Sequence, residues 1–206
     1  MLHYETIESS TLELLIQLQS IPTLSKTRLV GGTSLALQIG HRRSVDLELF
    51  GEVSCDIDEL TESLSVFPNI ITLKHTPNIH IFMINGVKVD IVNYRYSWLE
   101  EELTEDGIRL AHKKDIAAMK INAIIGRGTK KDFIDIAYLL KEYGMSDILK
   151  FYFAKYPDAS IFLASKSLVY YDDAENDPMP YMFNNTTWTE LKQYISKLYD
   201  EYEDSY

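Results

Sequence analysis

Apolar positions alternate with polar ones in much of the first half of the chain and recur at helical spacing in the second. Glu8 to Leu18 is an early exception: its apolar residues fall on one helical face and predict an opening helix. Thr27 to Val30 is a short β-prone run that ends on Gly31-Gly32. Asp46 to Phe50 alternates and predicts a second strand. Asp56 or Asp58 is placed to cap a helix running to about Val66. Ile70 to Lys74 and Ile79 to Ile84 predict two further strands. Asn85-Gly86 is the strongest hairpin signal in the chain, and it returns the backbone through Val87 to Val92.

From Lys114 the period becomes helical. Ile116, Met119 and Ala123 mark one face of a helix to Ile125, punctuated by Gly126-Arg127-Gly128. Thr129 caps the next, Lys130 to Tyr143, which Gly144 closes. A helix from Ser146 ends before Pro157, and Ile161 to Tyr171 and Trp188 to Tyr199 predict the last two. The expected class is α/β (α+β), with a sheet-bearing core over residues 1–108 and a helical part over 109–206.

Composition narrows this picture. A chain of 206 residues, 46% hydrophobic and 25% charged, is large enough for one globular core with an appendage and too apolar for disorder. The single cysteine, Cys55, excludes an internal disulfide and a cysteine metal cluster. No apolar run is long enough to span a membrane. The start, MLHYETIESSTLELL, lacks the regions of a signal peptide, so a cytoplasmic location is expected. The net charge of −11 argues against a general nucleic-acid coat. The charge is uneven, however. Arg109, Lys113, Lys114, Lys120, Arg127, Lys130 and Lys131 oppose only Asp115 in their stretch, which suits a phosphate-rich substrate held at one place.

Candidate chemistry concentrates between Leu29 and Phe50, LVGGTSLALQIGHRRSVDLELF. Gly31 and Gly32 permit positive φ and close approach of backbone N–H groups to phosphate. Thr33 opens a helix whose N-terminus favours an anion. Asp46 and Glu48 fall on one face of their strand, where two carboxylates repel unless water screens them or a cation bridges them. Hard Mg²⁺ takes one or two protein carboxylates and completes its shell with water and phosphate oxygens. Asp90 is a lone acid in the apolar returning strand, so it needs a basic neighbour, a hydrogen-bond cage or a metal; Lys88 shares its face.

The GGTSLAL and GHRRSVDLELF segments resemble the first motif of the DNA polymerase β-type nucleotidyltransferase superfamily, and more narrowly its AbiEii/AbiGii toxin branch. Two further segments match that branch in order. Asp115 to Lys120 reads as its D-x4-K motif and Asp132 to Asp135 as its D-x-x-D motif. The chain departs at Glu48, where the branch more often has Asp; the extra methylene bears on metal geometry and preference.

The resemblance implies a polymerase β-like mixed sheet core with a helical C-terminal half. It implies transfer of a nucleoside monophosphate from an NTP to an acceptor, RNA or tRNA by analogy, with Mg²⁺ or Mn²⁺ held by Asp46, Glu48 and Asp90. Gly31, Gly32, Thr33, Arg42, Arg43, Ser44 and Lys120 are then the phosphate-binding candidates, and Asp132 orients Lys120 or the acceptor. It also implies a separate antitoxin. The acidic C-terminal helices, with Tyr194, Tyr199 and Tyr202, offer that partner one face, unless these tyrosines turn to the core. Two other readings stand beside this one: a homologue that binds nucleotide or RNA without transfer, and a protein-interaction component of a two-component system. Lys131 and Asp135 have ordinary helix ion-pair spacing. Lys120 snorkels to solvent or meets phosphate, so Lys120→Met is expected to leave stability almost unchanged.

Overall fold

The computed structural model describes residues 1–53 and 55–205. The chain forms two compact units. One comprises Met1–Arg95 and Glu102–Ala111, the other Tyr96–Glu101 and the chain from His112 onward.

The first unit is built on a seven-stranded mixed sheet. Its strands are β1 (Thr27–Leu29), β2 (Leu47–Gly51), β3 (Ile70–His75), β4 (Ile79–Ile84), β5 (Val87–Asn93), β6 (Leu103–Glu105) and β7 (Ile108–Leu110). Their order is β3-β4-β5-β2-β1-β7-β6. The pairs β2–β5 and β1–β7 are parallel and the rest antiparallel. Helices α1 (Ser9–Ser20), α2 (Gly31–Ile39) and α3 (Ile57–Leu64) complete the unit. Asp56 caps α3 by accepting a hydrogen bond from the Glu59 N–H.

Alternation decides which face is covered. Leu47 and Leu49 of β2, Val89 and Ile91 of β5, and Phe82 and Ile84 of β4 are buried in one cluster with Leu14, Leu15 and Leu18 of α1 and Leu60 and Leu64 of α3. The residues between them in β2 and β5, Glu48, Phe50, Lys88, Asp90 and Val92, are only half-buried. One face of the sheet is thus apolar and the other carries its carboxylates.

The β6–β7 hairpin has no counterpart among the expected strands. Three-residue strands are too short to show a period. Its turn, Asp106-Gly107, has positive φ at both positions, like Asn85-Gly86. Leu29 of β1 pairs with Leu110 of β7, which brings residues 109–111 into the sheet unit.

The second unit contains α4 (Lys113–Arg127), α5 (Lys130–Tyr143), α6 (Met145–Lys155), α7 (Ile161–Ser167) and α8 (Trp188–Glu203). Its core includes Ile116, Ile121, Phe133, Ile136, Leu140, Ile148, Leu191 and Ile195. Asp115 in the first turn of α4 is wholly buried, 2.7 Å from Lys155 Nζ, and accepts hydrogen bonds from the N–H groups of Leu99 and Glu100. Lys155 also donates to the Ser97 carbonyl. This pair fastens residues 96–101 to the helices. The helix expected to reach Tyr171 stops at Ser167. Tyr171 instead packs against Phe133 and Trp188, with ring centroids 5.1 and 5.8 Å away, and those contacts require the chain to leave the helix. Tyr199 is buried and Tyr194 and Tyr202 are half-buried, so none of the three stands fully exposed.

A histidine pair near the sheet edge generates a pH prediction. His75 and His80 face each other across β3 and β4 with Nδ1 atoms 2.8 Å apart. One ring must donate and the other accept, so the bond fails when both are protonated. Burial, and then the His75 charge, hold the His80 pKa below its ordinary value of 6.5. The native state therefore binds fewer protons there than the unfolded chain. The stability contributed by neutral His80 is present above 6.5 and is lost as pH falls through the lower native value. Thermal melts at falling pH should show this loss in the wild type and a flatter response in His80→Gln.

Candidate active site

The candidate site residues fall into two groups, one in each unit. In the sheet unit, β2 and β5 run parallel in a register that sets Glu48 directly beside Asp90. Both side chains project from the half-buried face. Asp46 lies one residue before β2 and is also half-buried, two positions from Glu48 and so on the same side.

Helix α2 begins against this strand. The Val30 N–H donates to the Glu48 carbonyl at 2.8 Å. Gly31 then takes φ of +66°, and a Cβ there would fall 1.5 Å from Oε2 of Glu48. The Glu48 carboxylate thus occupies the space that a side chain at position 31 would fill. Gly32 is buried and does not share the positive φ. Of the two glycines, position 31 is the one whose backbone requires the residue type.

The hydroxyls of the motif turn inward. Thr33 is 1% exposed; it donates to the Asp46 carbonyl and shares a 2.8 Å hydrogen bond with the Ser44 hydroxyl. Arg42 is 2% exposed and donates to the Arg43 carbonyl at 3.1 Å. Thr33, Ser44 and Arg42, expected as phosphate ligands, here bond within the segment that leads into Asp46. Arg43 alone of these residues is exposed.

Asp90 has the basic neighbour its position demands. Lys88 Nζ is 2.8 Å from the carboxylate and donates to Oδ2. Oδ1 is buried and lies 2.8 Å from the same ammonium, outside hydrogen-bond geometry. Among the described residues no three His, Cys, Asp or Glu side chains form a ready-made metal cage. By donor type the residues nevertheless fit a hard divalent ion. Two carboxylates stand in register on adjacent strands, and a third lies one residue before β2.

In the helical unit Lys120 meets Asp132 and Asp135, with Nζ 2.9 and 2.7 Å from their carboxylates. All three are buried. Thr129 closes a capping box with Asp132. Burial alone would raise the Asp132 pKa; Lys120 and the Thr129 hydroxyl outweigh it, and the carboxyl lies below its ordinary value. Two expectations are corrected here. Lys120 does not snorkel, because two carboxylates hold it inside, and Asp135 takes Lys120 rather than Lys131. The expected basic surface is also drawn partly inward. Lys113 pairs with Glu142 at 2.6 Å and Lys114 pairs with Glu100, while Lys130 is buried with its ammonium donating to the Glu175 and Asp177 carbonyls, and Arg109 binds the carbonyls of Gln19, Leu24 and Thr27. The sequence held no signal for the Asp115–Lys155 pair, whose members are 40 positions apart.

Known proteins resemble this chain over most of its length. The family described as "Nucleotidyl transferase AbiEii toxin, Type IV TA system" matches residues 14–198. An uncharacterized protein of Aquifex aeolicus is 33% identical over 184 residues, covering 84% of this chain and 86% of that one. The nucleotidyltransferase toxin MenT4 of Mycobacterium tuberculosis superposes with a TM-score of 0.62 at 11% identity, over 95% of this chain and 82% of its own. JHP933 of Helicobacter pylori gives 0.57 at 21% identity, over 97% and 96%. The fold is that of nucleotidyltransferases.

The buried triad reverses the expectation for Lys120→Met. Removing the ammonium leaves two carboxylates facing each other out of water, a change that costs about 3 kcal/mol or more. Urea denaturation at neutral pH should show that loss. The deficit should shrink in mildly acidic buffer, where the stranded carboxylates take up protons.

Proposed function

The chain belongs to the AbiEii family of nucleotidyltransferase toxins, and from that premise we propose that it moves a nucleoside monophosphate from an NTP to an RNA acceptor of the tRNA class, using Mg²⁺ or Mn²⁺. The observation that carries the assignment of residues is the register of Glu48 with Asp90, with Gly31 leaving room for the Glu48 carboxylate.

Asp46, Glu48 and Asp90 are the proposed ligands of the divalent ion. A divalent ion held by them would supply positive charge to the triphosphate and to the departing pyrophosphate. The acceptor hydroxyl oxygen forms the new bond to the α-phosphorus as the bond to pyrophosphate breaks. Asp90 receives the hydroxyl proton on a carboxylate oxygen. The N–H groups of Gly31 and Gly32, at the start of a nine-residue helix, receive the phosphates. Arg43 adds positive charge at the surface. Arg42, Thr33 and Ser44 act as positioning residues for the Asp46 loop. Lys120 and Asp132 have their role in the helical unit, where they hold the start of α5.

The RNA acceptor rests on family kinship. The net charge of −11 is consistent with local capture of the acceptor rather than broad coating. A cognate antitoxin is the proposed protein partner. No helix among the described residues is long and apolar enough to cross a membrane. The Lys88–Asp90 pair favours one second reading, a homologue that binds nucleotide without transfer. Nucleotide binding with no pyrophosphate release, across a metal series, would select it.

Incubation with each labelled NTP, Mg²⁺ or Mn²⁺, and total cell RNA tests the assignment. Asp46→Asn should reduce label transfer by roughly a hundredfold or more. Unchanged transfer in that variant would remove Asp46 from the mechanism. Glu48→Asp should retain transfer, with an altered Mg²⁺/Mn²⁺ preference, whereas Glu48→Gln should lose most of it. Expression of the wild type should slow growth, and Asp46→Asn should relieve the effect.

A further inference from the structure

Three carboxylates on one side of a sheet need positive charge nearby whether or not a metal is bound. Glu48 and Asp90 share that side, Asp46 lies one residue before β2, and Lys88 is a cation beside them. Its ammonium lies 2.8 Å from Asp90. The β2–β5 register pairs Leu47 with Val89 and Glu48 with Asp90. Continued by one residue, it sets Asp46 in line with Lys88. The lysine thus belongs to the same row of side chains as the proposed metal ligands.

Asp90 and Lys88 differ in exposure. The Asp90 side chain is 18% exposed and that of Lys88 39%. The carboxylate is anchored in an interior strand, while the ammonium sits on a four-carbon stem that reaches solvent. Lys88 donates to Oδ2, and its ammonium also lies 2.8 Å from Oδ1. Both carboxylate oxygens of Asp90 thus face this one cation. A divalent ion supplies twice the charge and accepts both lone-pair sets, so it displaces an ammonium from such a carboxylate at a cost set by the strength of the pair.

We propose that Lys88 is the built-in counter-ion of the metal site: it holds Asp90 in place without metal and gives up its position when the divalent ion binds. This rests on the reading of Asp46, Glu48 and Asp90 as metal ligands. Lys88 acts through Asp90 and is a positioning residue. Its presence lowers the affinity for metal while keeping the metal-free sheet stable.

Electron paramagnetic resonance titration of the full chain with Mn²⁺ separates the possibilities. A cation beside a carboxylate shifts that group's affinity for a competing cation by about one to three powers of ten. Lys88→Met should therefore bind Mn²⁺ about tenfold or more tightly than wild type. Lys88→Arg, which keeps the charge, should bind like wild type, and Asp90→Asn should bind more weakly. Lys88→Gln serves as a second neutral variant if Lys88→Met folds poorly. In metal-free buffer Lys88→Met should melt below wild type and recover as Mn²⁺ is added. Wild-type affinity in both neutral variants, with weakened binding in Asp90→Asn, overturns the role of Lys88 and leaves the metal site standing. Wild-type affinity in Asp90→Asn overturns both.

Discussion

The parallel pairing of β2 with β5 is the constraint on which the proposed chemistry depends. These strands are distant in sequence, and their alignment sets Glu48 beside Asp90. A slip of one residue would turn every side chain of one strand to the other face. Leu47, Leu49, Val89 and Ile91 forbid that slip, since each is fully buried in the apolar cluster. The packing of the covered face therefore fixes the position of the carboxylates on the other. The bond from the Val30 N–H to the Glu48 carbonyl brings β2 against the start of α2, where Gly31 leaves room for the longer Glu48 side chain.

Electrostatics is handled differently in the two units. On the sheet, the carboxylates are half-buried and Lys88 stands among them, an arrangement open to exchange with an external cation. In the helical unit, Asp115–Lys155 and Lys120 with Asp132 and Asp135 are buried pairs with additional hydrogen-bond partners. Such pairs are costly to break and contribute modestly to net stability against an apolar alternative. They specify geometry: one fixes residues 96–101 to the start of α4, the other joins α4 to the capped start of α5.

The motif around Gly31 and Thr33 likewise supplies scaffold. Thr33, Ser44 and Arg42 spend their hydrogen bonds on the loop between α2 and β2. That loop carries Asp46, so these residues bear on the site through its backbone. Arg43, beside them in the chain, is exposed.

Much was legible in the chain because local physics is written there. Alternation marked the strand bearing Glu48, the Asn85-Gly86 turn fixed the return to Asp90, and Thr129 with Gly144 bounded α5. The order of motifs identified the family, and the fold followed. The β6–β7 hairpin escaped because its strands hold too few residues to show a period. What the sequence could not determine was which charged residues would be buried and with whom. Lys120, Lys130 and Arg42 read as solvated or substrate-facing, yet each is buried. Burial of a charge depends on partners supplied from distant positions, as when Lys155 reaches Asp115, and no local pattern encodes that distance. Strand, turn and helix were decided by neighbours in the chain. The fate of each charge was decided by neighbours in space.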